Sequence, residues 1–253
     1  MIGLDRFILW LSRRWVLVIS AMVGLYAGIP FMAPVAMHMG WTGVGDTIYR
    51  VYSPVCHQFA FRSWFLYGDQ TVYPRQRAGV AGGTFEQYAS QEPAFAGIDV
   101  NTLGTDLIYA AKRFRGSEQM GWKVAFCERD VAIYSSIMLF GIAFAILTKL
   151  GVRVPPLPFW AYLLIAIAPI GLDGFSQYFA NPPFNGFGLA FYPVRESTPF
   201  LRVLTGSLFG MGNAWLAFPY IEESMIETRE MVENKLTKAG VLLKRVSPAR
   251  AEN

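Results

Sequence analysis

The stretch from Ser53 to Phe65, SPVCHQFAFRSWF, places Cys56 beside His57 in a chain with only two cysteines and two histidines. Thiolate sulfur and imidazole nitrogen are ligands of zinc, which also accepts carboxylate oxygen. The second cysteine, Cys127, precedes Asp130 by three residues, so both side chains share one face if a helix begins here. The sequence therefore predicts a metal site, for zinc or else iron, made by Cys56, His57, Cys127 and Asp130.

These residue types also allow other interpretations. Cys56 and Cys127 can form a disulfide in an oxidising compartment, cycle between thiols and disulfide, or be two unrelated buried thiols. Asp130 can be an acid that interacts favourably with the N-terminus of a helix. The residues alone leave these alternatives open.

A second group of polar residues follows the metal-ligand candidates. Asp173 and Gln177 lie one helical turn apart after a long uncharged run, and an acid at a membrane boundary is often functional or paired. We expect Arg129 or Arg202 to neutralise Asp173 or Glu196. Asp173 is the predicted catalytic base, and the other four residues are predicted to surround the metal or to form a substrate pocket. A solvated helix end for Asp173 and interfacial snorkelling for Arg202 are the alternatives.

The elements that must position these residues are membrane helices. The chain has 253 residues, of which 53% are apolar and 16% charged, whereas soluble domains carry about 25% charged residues. Uncharged stretches of about 18 residues can cross a hydrocarbon layer of roughly 30 Å, and the chain has four: Trp15 to Ala36, Val131 to Thr148, Val154 to Leu172 and Val203 to Ile221. Because prolines favour a helix start, the third helix is predicted over Leu157 to Leu172. The predicted fold is an all-α integral membrane bundle of about four transmembrane helices.

Basic residues predict the orientation of this bundle. They precede the first stretch, lie between the second and third, and follow the fourth, which places both termini in the cytoplasm of a protein of the cell (inner) membrane. Residues 1–222 then form the membrane domain, with 37–128 as a long extracytoplasmic insertion, and residues 223–253 form a cytoplasmic amphipathic helix. In the insertion, GDTIYRVYSPV and RSWFLYG predict short interfacial helices, TDLIYAAKRFRGSEQMGWKVAF predicts a helix, and YPRQRAGVAGGTFEQYASQEPAFAG predicts a loop.

Missing patterns exclude several function classes. The sequence has no Walker loop, dinucleotide fingerprint, HExxH or GxSxG, so we predict no nucleotide cofactor. Lys and Arg are dispersed along the chain rather than gathered on one polar face, so we predict no nucleic-acid partner. No histidine lies in a predicted span, which excludes haem ligation within the bundle. The lipid bilayer is the predicted partner.

Four motifs give the chain a family resemblance. CHQFAFRSWF, CERDVAIY, DGFSQ and ESTPFLRVLTG resemble the motifs of a prokaryotic membrane family, domain of unknown function 2085: CHQ-x-x-x-RSFF-like, CARC-like, DG-x-x-Q and ES-x-x-x-LR-x-x-TG. The resemblance covers Ser53 to Gly212 in pieces. Asp130 stands where the CARC-like motif has its second cysteine, and an insertion separates Gln70 from Cys127. A Cys, His, Cys, Cys set in the relatives implies a zinc or iron site, so Asp130 either keeps the metal with a harder ligand or marks its loss.

The resemblance brings no known activity, so the functional prediction depends on the residues. We predict an outer-face metal site that supports hydrolysis of an envelope or lipid-linked substrate, with Asp173 as base. The alternative is a non-catalytic accessory or structural subunit of a larger membrane complex, with a Cys56–Cys127 disulfide. Its partner subunits would dock on the insertion and on the C-terminal helix. The sequence leaves open whether the protein is an enzyme.

Overall fold

The computed structural model describes residues 2–180 and 195–241. The helices of these ranges are α1 (Ile2–His38), α2 (Thr42–Tyr52), α3 (Phe85–Ala89), α4 (Thr105–Arg113), α5 (Glu128–Lys149), α6 (Phe159–Tyr162), α7 (Ala168–Ala180) and α8 (Pro199–Lys238). The strands are β1 (Ser63–Leu66), β2 (Gly116–Ser117) and β3 (Gly121–Cys127). A π-helical turn, Leu163–Ile167, joins α6 to α7, so these two helices form one continuous rod.

Within the described ranges, three helical segments are long and apolar enough to cross a membrane: α1, α5 and the rod at Phe159–Phe179. The first two contain the predicted spans Trp15 to Ala36 and Val131 to Thr148. The rod begins at Phe159, directly after the prolines that were expected to start it. Val203 to Ile221 is helical within α8, but α8 is less apolar and is not among the three candidates. The four-span count therefore stays a prediction.

Two helices are longer than the bilayer needs. α1 has 37 residues and α8 has 40, which gives lengths of about 55 and 60 Å at 1.5 Å per residue. Residues 2–14 of α1 and 222–238 of α8 pack together around Leu9, Val232 and Leu236, and we call this pair the stalk. The predicted C-terminal amphipathic helix is thus the continuation of α8 and not a separate element. Residues 242–253 of that predicted tail lie outside the described ranges.

The predicted insertion folds into a cap, which we define as residues 59–126. Its core is largely aromatic and includes Phe61, Phe65, Tyr73, Phe85, Phe95 and Phe114. The predicted loop around Phe85 contains α3, which begins with a capping box between Thr84 and Gln87. An ion pair between Arg75 and Glu86, both buried, ties this segment to the rest of the cap.

A small sheet in the cap corrects the all-α prediction. Its strand order is β1-β3-β2, with antiparallel pairing throughout. RSWFLYG was predicted to be an interfacial helix, and that prediction was wrong. Burial alternates along β1, with Ser63 and Phe65 inside and Trp64 and Leu66 partly exposed, which is the two-residue period of a strand. The helix predicted from GDTIYRVYSPV is present as α2, and the first part of TDLIYAAKRFRGSEQMGWKVAF is helical as α4. The rest of that stretch was wrongly predicted as helix, because it contains β2 and most of β3.

Below the cap, α8 packs along α5 and α1. Gly206 and Gly210 of α8 face the backbone of α5, and a Cβ atom added at Gly210 would lie 2.2 Å from the carbonyl oxygen of Ile133. Small residues at this spacing permit close helix approach. The close contact brings the start of α8 against the start of α5, at the end of the bundle that carries the cap.

Candidate metal centre

The candidate site begins in the turn that follows α2. Gln58 is fully buried and has a left-handed backbone, with φ of 54°, a conformation that is uncommon for residues other than glycine. Its side-chain Nε2 donates to the carbonyl oxygen of Tyr49 at 2.9 Å. Its own carbonyl oxygen accepts a hydrogen bond from Lys123 Nζ at 2.5 Å. These contacts fix the turn that carries Cys56 and His57.

Lys123 links this turn to α4. It is fully buried, and its ammonium donates to Gln58 and to two carbonyl oxygens in the last turn of α4, those of Ala111 at 3.1 Å and Lys112 at 2.9 Å. A cation is favourable at a helix C-terminus. Burial lowers the pKa of Lys123 well below its ordinary value, and the nearby Arg115 acts in the same direction. Lys123 was not predicted as a site residue. A lysine within the otherwise largely apolar segment GWKVAFC was the signal that pointed to it.

The sheet brings the two cysteines together. Ser63 of β1 pairs with Cys127 at the end of β3, and the backbone N–H of Cys127 donates to Cys56 Sγ at 3.2 Å. Cys127 is the N-cap of α5, and its thiol donates to Asp130 Oδ2 at 3.1 Å. The two sulfur atoms and a carboxylate oxygen of Asp130 all lie within 4.8 Å of one another. We call Cys56, Cys127 and Asp130 the thiol cluster.

Both cysteines are free thiols in the structure, and the disulfide alternative is not formed there. The hydrogen bond with the Cys127 thiol is the largest cause that raises the pKa of Cys56, and burial is the second. Loss of both thiol protons would leave two thiolates beside the Asp130 carboxylate. These negative charges repel one another unless a cation lies between them. The thiol cluster therefore has the donor atoms that a thiophilic cation requires.

The fourth predicted ligand lies apart from the other three. His57 is exposed, and its ring lies 5.3 Å from the ring of Phe59, centroid to centroid. Its nitrogens do not belong to the group of ligand atoms within 4.8 Å of one another. The side chain of Cys56 is buried and that of its neighbour faces outward, so the turn separates the two residues. Metal binding by His57 stays a prediction.

A network of ion pairs lies beside the thiol cluster, and Asp173 is one of its centres. Its carboxylate accepts hydrogen bonds from Arg129, from Arg195 at 3.0 Å and from the hydroxyl of Ser197 at 2.7 Å. The side-chain amide of Gln177 donates to the carbonyl oxygen of Asp173 at 2.8 Å. The pairing of Asp173 with Arg129 is one of those expected from the sequence.

Glu196 is the second centre of this network. It accepts hydrogen bonds from Arg62 at 2.9 Å and from Arg202 at 3.2 Å. Arg202 also donates to Glu128 at 3.1 Å and to the carbonyl oxygen of Phe61 at 3.2 Å. The pairing of Arg202 with Glu196 is another of those expected from the sequence, whereas Arg62 and Glu128 were not predicted as site residues. Their positions inside the CHQFAFRSWF and CERDVAIY motifs were the signal that pointed to them.

A cavity of about 330 Å³ separates the thiol cluster from the ion-pair network. The polar side chains that line it are potential metal ligands and groups that bind anions: Cys56, His57, Cys127, Asp130, Arg62, Arg129, Gln177 and Arg202. Seven of the eight were predicted from the sequence as site residues. Asp173 and Glu196 are not among the lining residues, because both lie behind the arginines that they contact.

The family described as predicted membrane protein, domain of unknown function 2085, matches residues 112–216 of this chain. The predicted resemblance is confirmed. The matched range begins in α4 and ends in α8. It therefore includes Cys127, Asp130, Asp173 and Arg202 but not the turn at Cys56.

A curated relative extends the similarity beyond that range. An uncharacterised protein of Methanocaldococcus jannaschii is 22% identical over 219 residues, which cover 84% of this chain and 96% of the relative. No solved structure matches the chain. The comparisons thus support a membrane protein and leave its chemistry to the geometry of the site.

Proposed function

We propose that the thiol cluster binds a zinc ion and that this centre supports hydrolysis of an envelope or lipid-linked substrate. The observation that carries the proposal is the convergence of Cys56, Cys127 and Asp130 within 4.8 Å. Two thiolates and a carboxylate suit zinc, which accepts sulfur and oxygen in a tetrahedron. His57 lines the same cavity. We propose that its imidazole becomes the fourth ligand when the side chain changes rotamer.

With His57 as fourth ligand the tetrahedral site would be closed. With His57 in the outward position that it has here, the fourth position would be open, and zinc would then supply a Lewis acid and an activated water to a substrate in the cavity. The chain's own residues bind and orient that substrate. Arg62 and Arg129 line the same cavity as the thiol cluster, and Asp173 holds Arg129 in place. Asp173 was predicted as the base, and this stays a prediction. Its carboxylate already accepts hydrogen bonds from four side chains, and a base needs a free lone pair.

The proposal places the site on the extracytoplasmic face of a four-span protein. Support comes from the end of the bundle opposite the cap, where basic residues gather: Arg6, Arg13, Arg14, Lys149, Arg153, Lys235 and Lys238. Positive charge beside short loops favours the cytoplasm. The stalk would then project into the cytoplasm, while the cap and the cavity would face outward. Residues 181–194 of the predicted outer loop lie outside the described ranges.

Metal content tests this proposal directly. The full chain is purified in detergent without chelators, and zinc and iron are measured by mass spectrometry together with free thiols. We expect about one zinc per chain in the wild type and loss of most of it in Cys127→Ser and Asp130→Asn. Asp46→Asn is the matched control, because Asp46 is an exposed carboxylate of α2 that lies outside the cavity lining.

The outcomes separate the alternatives. One iron per chain that is lost in the same variants would keep the site and change the metal. Absence of metal together with absence of free thiols would mean a Cys56–Cys127 disulfide. The accessory-subunit interpretation would then replace the proposed metal centre.

A further inference from the structure

The arginines of the ion-pair network, three of which line the cavity, outnumber the carboxylates that they contact. Arg62, Arg129, Arg195 and Arg202 pair with only three acids, Glu128, Asp173 and Glu196. The network therefore carries one uncompensated positive charge. Asp130 keeps its negative charge in the thiol cluster, because a hydrogen bond from the Cys127 thiol does not neutralise a carboxylate. The excess of positive charge therefore applies to the arginine network alone. A positive charge in a partly buried cavity favours a bound anion.

Arg62 and Arg129 are the arginines whose guanidinium N–H groups are not all used by the acids that they contact. Their side chains keep 31% and 23% of their surface exposed, whereas the acids that they contact, Glu196 and Asp173, keep 3% and 4%. Each acid thus covers one edge of a guanidinium and leaves another edge open. The Nε of Arg129 is also buried without a hydrogen-bond partner among the described residues. A buried donor without an acceptor is costly unless a ligand or a water satisfies it.

The position and the walls of the cavity narrow the choice of anion. The cavity lies where α5 and α8 begin, at the cap end of the apolar helices, which is the depth of lipid head groups in the proposed topology. Two guanidinium groups from different elements match an anion with three or more oxygens, and arginine forks bind phosphate well. Val55 and Phe59 line the same cavity, so one wall accommodates an apolar alcohol esterified to the phosphate.

We infer that the cavity binds the phosphate group of a phosphate ester, held between Arg62 and Arg129 and facing the thiol cluster. The inference deepens the proposed function and depends on it for the role of the phosphate ester as substrate. Phosphate binding itself needs only the two arginines, so it can be measured whether or not metal is present.

Equilibrium binding of radiolabelled inorganic phosphate to the purified full chain tests the inference. We expect saturable binding by the wild type and at least a tenfold weaker affinity in Arg62→Gln, because a charge-assisted hydrogen bond is lost. Arg77→Gln is the matched control, since Arg77 is an exposed arginine of the cap outside the cavity, and it should bind as the wild type does. Cys127→Ser should lose metal but keep phosphate binding, so failure of the metal proposal would show separately.

A competition experiment identifies the source of the phosphate. Vesicles of phosphatidic acid in phosphatidylcholine that displace the label indicate a lipid phosphate, and vesicles that do not displace it indicate a soluble phosphate ester. Both results support the inference. If the wild type shows no saturable phosphate binding, or if Arg62→Gln binds as tightly as the wild type, the inference is overturned.

A second measurement covers the case in which Arg62→Gln does not fold. In metal-free wild-type protein, phosphate should slow alkylation of Cys127 several-fold relative to chloride at equal ionic strength, because phosphate would occupy the cavity beside this thiol. Equal alkylation rates in the two salts would count against the inference.

Discussion

The two ends of the helical bundle carry ion pairs of similar geometry in different surroundings. At the cap end, Arg202 contacts Glu128 and Glu196 at 3.1 and 3.2 Å, and all three side chains are at most 3% exposed. In the stalk, Arg13 contacts Glu233 at 2.5 Å, but the two side chains are 46% and 31% exposed. Water screens the stalk pair, and its loss costs little. The cap-end pairs exclude water, so removing one partner leaves a buried charge uncompensated.

The largest effect is expected at Arg202. Arg202→Met keeps most of the side-chain volume but leaves Glu128 and Glu196 buried with less compensation, so we expect a loss of about 3–5 kcal/mol in the free energy of unfolding. Chemical denaturation in detergent, followed by tryptophan fluorescence, measures this loss. Arg13→Met in the stalk serves as the matched variant and should lose less than about 1 kcal/mol. Equal losses in the two variants would show that the two ends do not differ as proposed.

A smaller effect is expected at Lys123, a buried cation that contacts carbonyl oxygens instead of carboxylates. Lys123→Met leaves these oxygens without a donor, so we expect a loss of about 2–3 kcal/mol. Comparison of Lys123→Met with Arg202→Met separates the effect of losing a buried charge from the effect of breaking a buried ion pair. A loss below that of the stalk variant would mean that the cap does not depend on this lysine.

The pH dependence of stability gives a second test of Lys123. Burial lowers its pKa below the ordinary value of 10.5, with Arg115 and Lys112 acting in the same direction and Cys56 opposing them. Between the lowered pKa and 10.5 the unfolded chain binds more protons than the folded chain, so stability rises with pH in this window. As the pH is raised toward 10.5, the wild type should therefore gain stability relative to Lys123→Met. Parallel pH profiles for the two proteins would contradict this expectation.

The smallest effect is expected in the stalk. A double-mutant cycle with Arg13→Gln and Glu233→Gln should give a coupling free energy of about 0.2–1 kcal/mol, which decreases as salt is added. Denaturation at low and at high ionic strength measures it. A coupling above about 3 kcal/mol would place the stalk pair in the same class as the buried cap-end pairs.

Sequence patterns predicted the parts of the site that depend on local spacing. The uncharged run after Asp130 predicted α5, and the i, i+3 rule brought Cys127 and Asp130 to one face. The same reasoning failed for β1, because its four residues are too few for an alternating pattern to stand out among aromatic neighbours. It also grouped His57 with Cys56, although adjacent residues in a tight turn need not face the same way.

The ion-pair network shows a different limit of sequence analysis. Arg62 and Glu196 are 134 residues apart, and Arg202 and Glu128 are 74 apart, so no local period connects them. Charge complementarity narrowed the partners of Asp173 and Glu196 to two arginines. It did not reveal that Glu128, one residue after a helix N-cap, turns into the bundle to meet Arg202.

The separation of these partners along the chain has a consequence for biosynthesis. Phe61 and Arg202, which share a hydrogen bond across the cavity wall, are 141 residues apart. At 5–20 residues per second, a ribosome makes the second on the order of ten seconds after the first. The cap can assemble its aromatic core during this interval, but the cavity has no complete wall until α8 arrives. A nascent chain therefore holds both cysteines before it can enclose an anion, and completion of the site depends on α8.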